Sequence, residues 1–208
     1  MDTAPFTLEI TQDAPAVFHA PPCSGSFSVR PIDSKETYEW LLMKHYAKRI
    51  PSISWAFGLY DPAMILQGVC TFGTPVSSTL LKGVCGEEWA ANVCELNRLV
   101  VNEIGCKNLA SFFVSRCVAM LPRPKIIVSY ADSSKGHHRF VYQATNFIYT
   151  GLSTLTYGPV VKGHEGKHHG TAGMGRGMTK EQMKEKYGDD VYWKPRDRKH
   201  RYILFHGS

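Results

Sequence analysis

The stretch Ser129–Gly151, SYADSSKGHHRFVYQATNFIYTG, limits the choice of folds more than any other part of this 208-residue chain. It opens at the end of an apolar run, Lys125-Ile-Ile-Val-Ser-Tyr, which reads as a strand. A polar turn follows, Asp132-Ser-Ser-Lys-Gly-His-His. Val141, Ala144 and Thr145 then fall on one side of a short helix, and Phe147 to Thr154 reads as a second strand. Strand, polar loop, helix and strand form a βαβ-like unit of the kind that builds α/β folds. In open α/β sheets, ligands bind beyond the carboxyl ends of the strands. The turn carries a carboxylate, two imidazoles, two hydroxyls and a lysine at that place, so the rest of the chain is read as its support.

Residues 1–25 hold four of the twelve prolines and read as an N-terminal arm. Residues 26–208 read as a single domain. Phe27-Ser-Val-Arg-Pro-Ile is a first strand. Asp33 and Glu36 have the spacing of a capping box. The helix they open puts Tyr38, Leu41, Leu42 and His45 on its apolar side, with Arg49 at the end and Pro51 as the stop. His45 admits two readings, a hydrogen-bonded core histidine or a site histidine. Ile53–Tyr60 and Met64–Phe72 alternate with period two around Asp61-Pro62, which predicts an antiparallel hairpin. Gly73–Val93 reads as a long loop. Cys94–Val101 reads as a strand with Glu95, Asn97 and Leu99 on one face and Leu96, Arg98 and Val100 on the other. Gly105 and Asn108 lead into a helix from about Leu109 to Leu121, with Asn108 as its N-cap. A helix N-terminus after a strand and a glycine turn suits an anion. Gly158–Gly177 reads as irregular, Thr179 as the cap of a charged helix to Tyr187, and Tyr202–Phe205 as a last strand returning to the sheet.

Charge is concentrated late in the chain. From Tyr157 onward there are 11 Lys and Arg against six Asp and Glu, whereas the preceding 156 residues hold 13 against 12. A basic excursion over about 157–200, pinned at both ends, fits a polyanionic partner or a solvated surface. No apolar run approaches the roughly 18 residues of a membrane span. Asp2 and Glu9 stand where a signal peptide would be basic. The six cysteines form no CxxC pair, and several lie in apolar runs, so reduced thiols in the cytoplasm are expected. His164-Glu-Gly-Lys-His168 matches the zinc-protease pattern, but that chemistry needs a helix, and Gly163, Gly166 and Gly170 argue against one. No metal site is assigned. There is no GxSxG elbow, Walker loop or dinucleotide fingerprint.

The element order, a strand and helix, a hairpin, then strand–helix–strand–helix–strand, resembles the acyl-CoA N-acyltransferase (GNAT) fold, an α/β fold with a mixed central sheet flanked by helices. Four local motifs narrow this. Glu95-Leu-Asn-Arg-Leu-Val-Val, Ser129-Tyr-Ala-Asp132, Tyr142-Gln-Ala-Thr-Asn-Phe147 and Lys199-His-Arg-Tyr202, together with His45-Tyr46, resemble the phage Mom family. The resemblance implies a phage-encoded, GNAT-like transferase acting in the host cytoplasm. It would place a carbamoylmethyl (glycinamide-type) group on the exocyclic amine of adenine in DNA and shield that DNA from restriction. The amine is a poor nucleophile, so a group must take its proton and the base must leave the duplex stack. On this reading Asp132 is the leading catalytic candidate. His45 and Tyr46 serve proton transfer or donor positioning, and Ser129 and Tyr142 orient the base or donor. Tyr130, Tyr142, Phe147 and Tyr149 would line a pocket for a flipped purine.

Glu95, Arg98, Gly105, Asn108 and Tyr149 form the candidate donor-binding set, and Lys194, Arg196, Arg198, Lys199 and Arg201 the candidate phosphate contacts. The partners are then double-stranded or locally unpaired DNA and a donor molecule. The GNAT pyrophosphate loop is rich in glycine, whereas Asn102-Glu-Ile-Gly105-Cys-Lys-Asn108 has one glycine and an acid. The donor is therefore open between an acyl-CoA and a glycine-derived species such as glycyl-tRNA. Two other readings remain: a conventional acyltransferase acting on a small or protein amine, and a nucleic-acid-binding protein that has lost its chemistry.

Overall fold

The computed structural model describes residues 26–75, 77–132, 140–165 and 178–207. The N-terminal arm, the part of the polar turn after Asp132, and His168 of the HExxH match lie outside them. The architecture is mixed α/β. Seven strands form one sheet, flanked by helices, and two more strands form a separate ribbon.

β1 (Ser28–Pro31), β2 (Trp55–Tyr60), β3 (Leu66–Gly73) and β4 (Val93–Val101) run antiparallel in succession. The hairpin expected around Asp61-Pro62 is β2–β3. Its turn is closed by Asp61 Oδ1, which accepts the Ile65 amide at 2.9 Å. Between β1 and β2 the predicted helix is shorter than its periodicity suggests. Asp33 and Glu36 do make a reciprocal capping box. Only a 3₁₀ turn (Ser34–Thr37) and a π-turn (Trp40–Lys44) follow, and His45 ends them in extended backbone. The wider π-turn brings Thr37, Trp40, Leu41 and His45 to the buried side and leaves Leu42 out in solvent.

Gly73–Val93 is not a bare loop. It holds α1 (Ser78–Cys85), capped by Ser77, and a 3₁₀ segment (Glu87–Asn92). α1 buries no residue completely, which explains its weak signature. α2 (Leu109–Ala119) crosses back, and β5 (Lys125–Asp132) then lies parallel to β4. α3 (Phe140–Ala144) and β6 (Ile148–Leu152) complete the βαβ-like unit. β5 and β6 are not neighbours, however, because β9 (Lys199–His206) lies antiparallel between them.

The sheet has two apolar faces. Against Phe113 and its neighbours on α2, and against α3, pack Phe57, Phe72, Leu96, Ile127 and Tyr202 of the sheet. On the other face Val69 meets Trp40 and Leu41, while Val128 and Ile203 meet Leu81 and Val84 of α1. The ribbon consists of β7 (Tyr157–Val161) and β8 (Val191–Pro195), so the expected irregular stretch begins as a strand. α4 (Lys180–Tyr187), capped by Thr179 as expected and also by Gln182, packs Met183 between Val161 and Val191.

Cys70, Cys85, Cys94 and Cys117 are free, but Cys106 is disulfide-bonded, against the expectation of reduced thiols throughout. Cys106 sits half-buried in the turn after β4, not inside an apolar run. No helix among the described residues is long and apolar enough to cross a membrane.

Candidate active site at the fork in the sheet

β4 and β5 pair only from Val93↔Ile126 to Leu96↔Ser129. Beyond that point β4 continues along β3 to Val101, and β5 continues along β9 to Asp132. The sheet therefore forks. At the root of the fork Ser129 Oγ donates to the Leu96 carbonyl at 3.0 Å, taking up an acceptor where the ladder stops. The same hydroxyl lies 3.0 Å from the Tyr142 hydroxyl.

A β-bulge lies on the β4 arm. Thr71 pairs with Arg98 and Phe72 with Leu96, which leaves Asn97 as the extra residue. Its side chain is held on both sides: Thr71 Oγ1 donates to Asn97 Oδ1 at 2.6 Å, and Asn97 Nδ2 donates to the Ser52 carbonyl at 2.8 Å. The bulge reverses the alternation. Cys94 and Leu96 pack on the α2 face before it, and Leu99 and Val101 pack there after it. Glu95 and Arg98, assigned by strict alternation to opposite faces, therefore point the same way, toward the face that carries Val100.

On the β5 arm Ile127, Ser129 and Ala131 face α2, so Tyr130 and Asp132 share the face of Glu95 and Arg98. β9 adds Arg201 opposite Tyr130 and Lys199 opposite Asp132. Tyr46 comes from the turn after the π-helix and stacks on the buried His45, with ring centroids 4.4 Å apart. His45 Nδ1 accepts the Ala47 amide at 3.0 Å, which places the neutral imidazole's proton on Nε2.

The electrostatics tie these groups together. Burial, followed by the Asp132 carboxylate, pushes the Tyr46 phenol up, while Arg98 and Arg49 oppose this. Burial raises the Glu95 carboxyl against the pull of Arg98, Lys199 and Arg49. Burial and the neighbouring Arg49 lower the Arg98 guanidinium. Arg98 is 9% exposed, and its Nε has no hydrogen-bond partner among the described residues. A buried donor left unpaired is expensive, and such atoms mark places where a ligand completes the bonding. The fork thus combines a carboxylate, a phenol that keeps its proton at neutral pH, and a buried guanidinium with an unused N–H.

The expected catalytic set is divided by the sheet. Asp132 and Tyr46 lie on one face with His45 behind them, while Ser129 and Tyr142 lie on the other. Burial pushes the Tyr142 phenol up to about 12, and Ser129 partly offsets that. Tyr46 still contributes to the shift at Tyr142, so the two faces sense each other at the fork. The expected purine pocket is divided too. Tyr142 stacks on Tyr202 at 4.5 Å and meets Phe147 edge-on at 5.5 Å, whereas Tyr130 is on the opposite face.

The donor set is likewise dispersed. Glu95 and Arg98 are at the fork, Gly105 and Asn108 are in the turn before α2, and Tyr149 bonds His200 Nδ1 at 3.0 Å on the Tyr202 face. Asn108 is left-handed (φ 60°) and makes no side-chain cap; its backbone carbonyl accepts the Ser111 hydroxyl instead.

The phosphate set divides in the same way. Lys194 and Arg196 are exposed at the ribbon. Arg198 donates to the Ser153 carbonyl at 2.7 Å, and Arg201 to Thr150 Oγ1 at 2.8 Å. Lys199 and Arg201 belong to the fork as much as to any DNA surface. Sequence reasoning missed Arg49 as part of the site. Its only signal was its place four residues after His45.

The chain as a whole is similar to N-acetyltransferases of known structure. An N-acetyltransferase from Staphylococcus aureus Mu50 matches with a TM-score of 0.48 and 12% identity over 86% of this chain and 98% of that one. A GNAT-family acetyltransferase from Bacillus cereus matches with a TM-score of 0.43 and 13% identity over 86% and 96%. A putative acetyltransferase from Salmonella typhimurium, solved with acetyl-CoA, matches with a TM-score of 0.47 and 10% identity over 88% and 95%. No curated protein matches the sequence. The family is nonetheless specific: residues 26–207 match the Mom protein family model, and the chain belongs to that family.

Proposed function

We propose that this chain is a transferase that modifies the exocyclic amine of adenine in DNA, adding a carbamoylmethyl group. Membership of the Mom family supports DNA modification as the activity. The observation that carries the chemistry is the convergence of Asp132, Tyr46 and the unpaired Arg98 Nε at the fork.

The amine nitrogen forms a bond to the electrophilic carbon of the donor as the donor's leaving group departs with its electron pair. Asp132 takes the proton that the amine loses. Tyr46, protonated at neutral pH, gives a proton to the leaving group, and His45 holds the Tyr46 ring by stacking. Arg98 donates Nε–H to a donor oxygen, with Glu95 close enough to keep the buried cation balanced. Ser129 and Tyr142 support the far side of the fork. The target base must be unstacked to reach it.

The test is mass spectrometry of nucleosides from plasmid DNA of cells expressing the protein, beside an Asp132→Ala variant. A heavier deoxyadenosine that is lost in the variant is the expected result, and the mass increment separates an alkyl from an acyl group. Unmodified deoxynucleosides together with acyl-CoA recovered on the purified protein would replace this reading with the conventional acyltransferase.

A further inference from the structure

A second site lies at the opposite end of β5 from Asp132. A cavity of about 560 Å³ opens between the start of β5, the end of β9 and the segment after α1. Its volume is in the range of small-ligand sites. Ile126 and the exposed rings of Trp89 and Phe205 make its apolar wall, and Arg123, Lys125 and His206 are its basic groups. No carboxylate among the described residues lines it. Among the described residues no acid pairs with Arg123 or Lys125, since the ion pairs are Lys82–Glu87 and Lys162–Asp190. The nearest acid on the same segment, Glu88, accepts the Trp89 indole N–H at 3.1 Å. Arg123 is held in place through Nε, which donates to His206 Nε2 at 3.0 Å. That bond leaves both Nη groups for a ligand. Lys125 Nζ is taken up elsewhere: it donates to the Ala91 carbonyl at 3.4 Å and lies 5.4 Å from the centroid of the Trp55 ring.

Two large exposed aromatic rings beside Arg123, which no acid among the described residues pairs, suit one ligand chemistry, a flat ring carrying an anion. We infer that this cavity binds a nucleotide unit, its base against Trp89 and Phe205 and its phosphate on Arg123. An unpaired DNA strand or a free nucleotide would supply the same unit. The inference does not depend on the chemistry at the fork, because a chain that modified no base would still hold a nucleotide here.

The test is photo-cross-linking of the full chain to a short oligonucleotide containing 5-bromodeoxyuridine, with the adduct mapped by peptide mass spectrometry. Adducts on the peptides holding Trp89 or Phe205 are expected. Trp89→Ala and Arg123→Ala should each lower the yield there about tenfold. Trp89 and Arg123 are exposed, so thermal melts should confirm that these variants stay folded. Competition by millimolar thymidine monophosphate would identify the free nucleotide as the source. Persistence against it would identify the strand. Adducts confined to the fork and the ribbon, or equal yields from folded variants, would overturn the site. The Asp132→Ala variant should keep these adducts, which separates failure of this inference from failure at the fork.

Discussion

Glu95 illustrates how a single residue reports on the site. Its carboxyl is raised mainly by burial, even with three cations nearby. A carboxyl raised in the folded state stabilises most fully below its unfolded value. That contribution is lost as pH rises through the folded value. Glu95→Gln should therefore gain stability over the parent at neutral pH and show no gain near pH 4, measured by thermal melts across a pH series. A gain that grew toward acid would mean that the fork pulls the carboxyl down instead. The variant should also bind donor differently, since Arg98 would lose its counter-charge. The types of the polar residues here were readable from the sequence, but their grouping was not. Strict alternation separates Glu95 from Arg98. Asn97 joins them because Thr71 and the Ser52 carbonyl hold its side chain, and both partners are distant in the chain.

At the scale of elements, legibility followed local signals. The β2–β3 hairpin was readable because both strands alternate around Asp61-Pro62. The capping box at Asp33 and the cap at Thr179 were readable because their chemistry spans three residues. α1 was not, since it presents only half-buried Leu81, Val84 and Cys85 to the sheet. Asn108 failed as a cap because its positive φ turns the side chain away, and no propensity records that. The bulge itself depends on a close approach. A Cβ on Gly73 would lie 1.9 Å from the Ser52 carbonyl oxygen, so only glycine lets the 50s segment reach Asn97. Gly73→Ala should cost about 3 kcal/mol of stability, as overpacking against backbone does. Urea unfolding measures this, and an unchanged midpoint would remove the close approach as the reason for the bulge.

For the molecule as a whole, the basic excursion is an ordered ribbon and helix over its described parts, with its own small core of Val161, Met183 and Val191. Its cations are not equivalent. Lys194 is exposed at the ribbon, whereas Arg198 and Arg201 hold neighbouring chain through hydrogen bonds. DNA binding should fall steeply with salt, and Lys194→Ala should reduce the slope of log K against log[salt] by about 1. Arg201→Ala should instead lower the melting temperature. Filter binding over a salt series, paired with thermal melts, tests both. A flat salt response would leave the ribbon without a phosphate role.

The position of β9 also bears on how the protein is made. It is the last of these strands to be synthesised, yet it lies between β5 and β6 and brings Lys199 and Arg201 to the fork. Until it leaves the ribosome, β5 and β6 have no partner on their facing edges, and Ile127 and Val128 lack part of their cover. Such edges recruit other strands, and long-range pairing of this kind is slow. Nascent chains therefore stay open along these edges until β9 has been made. The fork is assembled only after the other described strands have been delivered, so chains cut before Lys199 should be inactive.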